Sequence, residues 1–168
     1  MTEKGGKWIE WIHEQDGQSC CATCIALGGC YFLENKMPEQ PVHPNCHCAK
    51  EAISYFEAES ICERPKFDKY AFVFKEKDDK SLWFLEFGYD ILDTDYMLQE
   101  YSQQAALKYV TGEYELAEPP NENGQKIKVA ITVPDRVKGG LIEIISVWQV
   151  NRYGKIRLVT PIIEVRRI

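Results

Sequence analysis

The sequence predicts an α+β fold: a small Cys/His-rich knot of zinc-binding type, followed by helices packed on a four-stranded antiparallel β-meander. Three observations carry this. Six of the seven cysteines crowd between Cys20 and Cys48. A helical stripe recurs over residues 96–110, and residues 113–163 break into four strand-like runs joined by short turn-rich loops. With 168 residues, 45% apolar and 12% aromatic, the chain has ample material for a core, so disorder is not expected. The change in character sets a division into 1–63, the Cys/His module with flanking helices, and 64–168, the α+β domain.

In the first part, Trp8, Ile9, Trp11 and Ile12 stand at helical spacing, which predicts a short amphipathic helix over 7–15, stopped by Asp16 and Gly17. Gly28, Gly29, Pro38, Pro41 and Pro44 then punctuate a stretch without a regular period. A second helix is predicted over Ala49–Cys62, with Ile53, Phe56 and Ile61 on one side and Pro65 as its boundary.

The second part opens with an aromatic-rich extended segment, Lys69–Lys75. Asp78 or Asp79 can cap a helix over Ser81–Phe87 that Gly88 closes, and Asp93 or Thr94 can cap a longer one over Tyr96–Val110. Met97, Leu98, Tyr101, Ala105 and Tyr109 form the stripe of that longer helix, and Gly112 stops it. The strand runs are Glu113–Glu118, Lys126–Val133, Leu141–Val150 and Lys155–Ile163, with connections short enough for antiparallel neighbours. In Lys126–Val133 alternation is strict: Ile127, Val129, Ile131 and Val133 take one face, and Lys126, Lys128, Ala130 and Thr132 the other.

Charge is unevenly spread. The net −6 divides into −12 for residues 1–125 and +6 for 126–168, so the last strands form a candidate surface for an anionic partner, or else neutralise acidic neighbours within the fold. No run of 18 apolar residues occurs, and none stands near the start that could act as a secretion signal. The expected location is therefore cytoplasmic, with no membrane partner.

Cys21 and Cys24 form a Cys-x-x-Cys turn, and Cys46 and Cys48 supply a second pair, with His43 just before them. Two ligand pairs on separate turns are how small structural zinc sites close a tetrahedron, so zinc on Cys21, Cys24, Cys46 and Cys48 is expected, with His43 as first substitute. Buried apolar cysteines, disulfides, and redox activity at Cys20 and Cys21 are the competing readings. Cys30 and Cys62 read as core residues.

Trp11, Asp16, Cys21, Cys24, Ala26, Leu27, Gly29, Phe32 and the run His43-Pro44-Asn45-Cys46-His47-Cys48 give residues 8–50 a further meaning. This stretch resembles the C-terminal signature of tailed-phage minor head (head-morphogenesis) proteins. In phage and prophage proteins that signature is also joined to toxin domains, which implies that activity resides in the rest of the chain. There, Lys66 to Tyr70, Lys80 and the aromatic helix to Gly88, Gly124 with Lys126, Ser146-Val147-Trp148 and Leu158-Val159-Thr160 carry a second likeness. Residues 66–161 resemble an uncharacterised bacterial domain found at the C-terminal ends of polymorphic toxins. A helix followed by a four-stranded antiparallel sheet is also the outline of barnase, EndoU and colicin-type ribonucleases, an analogy of fold.

Metal-independent RNA cleavage needs a base, an acid and cations that stabilise the phosphorane. All three histidines, His13, His43 and His47, lie in the first part, so no histidine pair can serve within the sheet. The catalytic candidates are Lys126, Arg157, Thr160 and Ser146, with Lys128 and Trp148 as nucleic-acid contacts, Trp148 by stacking on a base. The same residues also suit a solvated sheet face, a core tryptophan and strand-end hydrogen bonds. Paired carboxylates, a phosphate-cradling Gly-rich loop and a nucleophile elbow are missing from the sequence. The expected function is a phage- or prophage-derived toxin-like protein whose C-terminal domain binds RNA and, in the stronger form, cleaves it. Phage structural proteins and a cognate immunity protein are the other partners that the resemblance implies, with a virion-associated location as the addition to the cytoplasmic one. The alternative is a non-enzymatic, zinc-stapled interaction or structural module of a phage particle.

Overall fold

The computed structural model describes residues 6–13, 21–39, 42 and 48–168. Its first element corrects the sequence expectation: residues 8–12 are not helical but form strand β1 (Trp8–Ile12), in which Ile9 and Trp11 are buried between half-buried neighbours. Five residues rich in tryptophan and isoleucine fit a period of two as readily as a helical one, and β-branched and aromatic side chains suit the pleated state. The expected stop at Asp16 and Gly17 lies outside the described residues. β1 is the centre of a three-stranded antiparallel sheet between β2 (Tyr31–Leu33) and β3 (Ala49–Ile53), with Ile9 opposite both Phe32 and Ala52. The helix expected over Ala49–Cys62 is likewise absent. That stretch forms β3 and then β4 (Glu59–Ile61). A short helix α1 (Ala22–Leu27) stands between β1 and β2.

The segment Lys69–Lys75, expected to be extended, instead ends a π-helical turn, Phe67–Ala71, closed by Phe72 N donating to Phe67 O at 2.9 Å. Helix α2 (Lys80–Glu86) is capped by Asp79, whose carboxylate accepts from Ser81 N at 3.0 Å. The long helix α3 spans Thr94–Val110 and buries Met97, Tyr101, Ala105 and Tyr109, four of the five residues of the predicted stripe.

The second sheet has five strands rather than four, in the order β4-β8-β7-β6-β5. β5 (Glu115–Leu116), β6 (Lys126–Pro134), β7 (Leu141–Val150) and β8 (Lys155–Arg167) pair antiparallel in chain order, and β4 adds a parallel edge to β8. The inner face carries Ile127, Val129, Ile131 and Val133 from β6, and Ile142, Ile144, Ser146, Trp148 and Val150 from β7. Against it lies α3, which also closes the exposed side of β6. Gln104 donates to Thr132 O at 2.7 Å and accepts from Thr132 N at 2.8 Å, so one side-chain amide does the work of a missing strand.

One hydrophobic cluster runs across the boundary at residue 63. Trp11, Leu27, Cys30, Phe32 and Phe56 belong to the same core as Tyr101, Ile127, Trp148 and Ile156. The Trp8 ring packs edge-on against Phe56 and Tyr109 at 4.7 and 5.5 Å. Tyr109 Oη donates to Tyr31 O at 2.6 Å, and Leu33 N donates to Tyr114 Oη at 2.9 Å. Gly112 brings the chain past this junction with φ +78°, so close to Leu33 that a Cβ there would overlap the leucine side chain. Among the described residues no helix is long and apolar enough to cross a membrane.

Candidate functional site

The Cys-x-x-Cys pair sits at the start of α1. Cys21 is its N-cap in extended conformation, and its Sγ accepts from Cys24 N at 3.3 Å. The capping bond turns the Cys21 sulfur toward the backbone of the Cys-x-x-Cys turn, on the same short helix start as Cys24. Cys24 is buried and Cys21 half-buried. Cys48 immediately precedes β3, whose first residue Ala49 lies opposite Ile12. Cys20, His43, Cys46 and His47 lie outside the described residues. Among the described residues no group of three or more His, Cys, Asp or Glu side chains could hold a metal. Cys30 and Cys62 are of another kind: burial pushes both thiols up to about 12, and Cys30 Sγ faces the carbonyls of Ala26 and Val150 at 3.5 and 3.7 Å.

The sheet brings four of the six C-terminal candidates to one face and turns two away. Lys126 lies opposite Gln149, which lies opposite Arg157, and in the next row Lys128 lies opposite Val147, which lies opposite Thr160. With strands spaced about 4.8 Å apart, the backbones bearing Lys126 and Arg157 are about 10 Å apart, room for one phosphodiester between long side chains. Thr160 reaches this face because β8 slips its register between Leu158 and Thr160, where Val159 is extra.

Ser146 and Trp148 point the other way and leave the candidate set. Both are 0% exposed. Ser146 Oγ donates to Val129 O at 2.7 Å and accepts from the Trp148 indole at 2.8 Å, so its hydroxyl is held within the core. Trp148 cannot stack on an external base, and Ser146 cannot share a surface with Lys126. Strand parity explains this: even-numbered positions of β7 face α3, so 146 and 148 follow Ile142 and Ile144 inward.

The outer face is mixed in sign. Lys126 pairs with Glu118 at 3.2 Å, Arg157 with Glu63 at 3.0 Å and Lys155 with Glu59 at 3.8 Å. Beside Lys128, a shallow cavity of about 290 Å³ is lined by Lys36, Glu113, Glu115, Ala130, Ile145 and Glu164. The sequence reading passes over Gln149, although the inward parity of Trp148 already implies an outward 149. It also passes over Glu63, which parallel pairing of β4 on β8 brings to Arg157 and which no local pattern reveals.

Compared with protein-family models, with curated proteins and with solved structures, the chain gives no match.

Proposed function

We propose that the chain is a phage-derived, toxin-like protein whose C-terminal sheet binds the phosphodiester backbone of RNA on its outer face, with the Cys/His segment as a zinc-stapled folding module. The observation that carries the reading is the two-row alignment of Lys126, Gln149 and Arg157 with Lys128 and Thr160. Lys126 and Arg157 on either side of Gln149, with the Thr160 hydroxyl in the next row, match a phosphodiester, whose non-bridging oxygens accept charge-assisted bonds from Lys and Arg and a neutral one from Thr. Binding requires Lys126 and Arg157 to exchange Glu118 and Glu63 for phosphate, at a cost of about 0–1 kcal/mol for each exposed pair. For zinc, the donor set Cys21, Cys24, Cys46 and Cys48 is chemically suitable, and Cys21 and Cys24 stand together at the start of α1. A bound zinc would supply structure, cross-linking the start of α1 to the segment before β3.

A second reading is favoured by the carboxylate partners of Lys126 and Arg157. A face already neutralised from within suits a non-enzymatic module that meets phage structural proteins or an immunity protein. The two readings separate in one experiment on the full chain. Fluorescence anisotropy of a single-stranded oligoribonucleotide is expected to show binding that weakens from about 50 to 200 mM salt and weakens further in Lys126→Ala and Arg157→Ala. No binding at the lower salt, together with harmless high-level expression and intact cellular RNA, would leave the interaction module standing. RNA breakdown on expression, abolished by Lys126→Ala or Thr160→Ala, would extend binding to cleavage.

A further inference from the structure

Lys66, Lys69, Lys75 and Lys80 stand within a short stretch of chain beside the slipped part of β8. Lys66 Nζ donates to Val159 O at 3.0 Å, and Lys80 Nζ donates to Ile162 O at 2.6 Å. Lys75 and Lys80 both lie over the Tyr70 ring, at 3.9 and 5.9 Å. The π-helical turn Phe67–Ala71 and Val159 of β8 border an open cavity of about 480 Å³, lined by Glu63, Pro65, Lys66, Lys69, Tyr70 and Val159.

Charge is less balanced here than on the sheet face, where Lys128 is the one candidate cation without an ion-pair partner among the described residues. Lys36, Lys126, Lys155 and Arg157 each have a carboxylate partner. Among the described residues, neither Lys66 and Lys69, which line the cavity, nor Lys75 and Lys80 over the Tyr70 ring have one within ion-pair distance. The single acid in the lining, Glu63, is engaged by Arg157 at 3.0 Å. Burial lowers the pKa of Lys80, Asp78 opposes that effect and the like charge of Lys75 adds to it. The bonds to Val159 and Ile162 account for one N–H each of Lys66 and Lys80, and an ammonium has three. Lys69 is exposed and serves no carbonyl among the described residues. Structural support of the slipped strand therefore explains Lys66 and Lys80 in part and Lys69 not at all. Clustered cations around a concave, partly apolar cavity recognise an anion, and a π-helical turn is a frequent setting for a binding site.

We propose that this cavity binds a phosphate group, held by the Lys66 and Lys69 ammoniums against the wall formed by Tyr70 and Pro65. The phosphate is either free or the terminal group of an RNA strand. Only the second source rests on the function proposed above.

The test uses the full chain labelled with ¹⁵N and inorganic phosphate as probe. Saturable shifts of the backbone amides of residues 66–70 and of Val159 are expected, and Lys69→Ala should weaken the binding on the order of tenfold, the loss of one charge-assisted bond. Lys69 is the informative position because its exposed side chain supports nothing else, and Lys66→Arg, which keeps a donor for Val159, is the second variant. Lys138→Ala, an exposed lysine outside both this cavity and the sheet face, should leave phosphate binding unchanged. In a second arm, an oligoribonucleotide with a 5′-phosphate is compared with its 5′-hydroxyl twin: a preference for the former that Lys69→Ala removes identifies an RNA end. Saturation by inorganic phosphate with neither oligonucleotide bound identifies free phosphate and sinks the RNA reading while the cavity stands. No saturable shift at these amides, or shifts indifferent to Lys69→Ala, would overturn the proposal.

Discussion

The indole N–H of Trp148 donates to Ser146 Oγ at 2.8 Å, and that hydroxyl donates in turn to the carbonyl of Val129, its cross-strand partner, at 2.7 Å. A serine that the sequence offers as a reacting group is thus a polar tie inside the sheet, and it satisfies a tryptophan that would otherwise carry an unpaired donor into the core. Ser146→Ala is expected to destabilise the fold by about 1–3 kcal/mol, because it strands the Trp148 N–H and removes the donor from Val129 O. Denaturant unfolding checks the first part. RNA affinity of the folded variant should equal that of the parent, whereas a catalytic serine would give the reverse, normal stability with lost activity.

The shared core leads to a second expectation. A fragment of residues 64–168 lacks β4, which pairs with β8 through Ser60 opposite Ile156, and lacks Trp11, Leu27, Phe32 and Phe56 from the cluster. Apolar area of several large side chains would be newly exposed, at about 1.5–3 kcal/mol each. The fragment should therefore be molten or insoluble by circular dichroism and proton NMR, while the full chain gives a dispersed spectrum. A cooperatively folded fragment would mean that the first part is only appended.

How far these features could be read in advance follows from the range over which each is decided. α3 was legible because 17 residues repeat the helical period nearly five times, β6 because apolar and polar residues alternate strictly along Lys126–Val133, and β7 because a largely apolar, β-branched run is bounded by Gly140 and Asn151. β1 was misjudged because five residues fit either period, and its state is set by β2 and β3 on either side, one of them almost forty residues downstream. β4 could not be read at all. Its three residues have no pattern of their own and become a strand only because β8 offers a free edge. At the candidate site, the outward position of Lys126 and Lys128 follows from alternation. The inward position of Ser146 and Trp148 follows from the same rule, once β7 is phased on Ile142 and Ile144 rather than on the chemistry wanted of Ser146. The cavity beside Tyr70 depends on a π-helical turn and a slipped strand, for which the sequence carries no periodic signal.

Gly112 tests the junction between the two sheets. Its φ of +78° disfavours any side chain, and the place of a Cβ is already taken by Leu33. Gly112→Ala should cost about 1–3 kcal/mol from backbone strain, with a further loss as Leu33 is displaced. Gly139, also at positive φ but with open space around it, provides the control. Gly139→Ala should show the strain alone, so a Tm drop no larger at 112 than at 139 would contradict the close packing.

Asp135 makes stability depend on acid. Its Oδ1 accepts from Val137 N and Lys138 N, each at 3.0 Å, and its Oδ2 from Arg167 Nε at 2.7 Å. The Lys138 N–H above all, then the Arg167 guanidinium and the Val137 N–H, holds the carboxyl below its ordinary value of 3.8, against the opposing effect of burial. A depressed folded pKa means that the unfolded chain takes up the proton first. The stabilisation is therefore complete above the ordinary value and is lost as pH falls from there through the folded one. Unfolding midpoints measured downward from about pH 5 should fall more steeply for the parent than for Asp135→Asn. Parallel curves would remove Asp135 from the account.

Zinc is the expectation whose removal should have the widest effect. The Cys21 thiol caps α1 and accepts the Cys24 N–H, and Cys24 is buried against the core that contains Leu27 and Cys30. A metal bridging this turn to Cys46 and Cys48 would fasten the first sheet to the connection that leads into β3, and its binding energy would be folding energy. Protein purified without added metal should contain about one equivalent of zinc, and a strong chelator should lower the melting temperature. Cys21→Ser and Cys46→Ser should each reduce the metal content, and His43→Ala should reduce it only if that histidine is a ligand. Cys30 provides the internal control: burial pushes its thiol up to about 12, so it resists becoming a thiolate, and Cys30→Ala should keep the metal while losing some packing. Zinc well below one equivalent, with a melting curve indifferent to chelator, would return Cys21 and Cys24 to the role of cap and core residue.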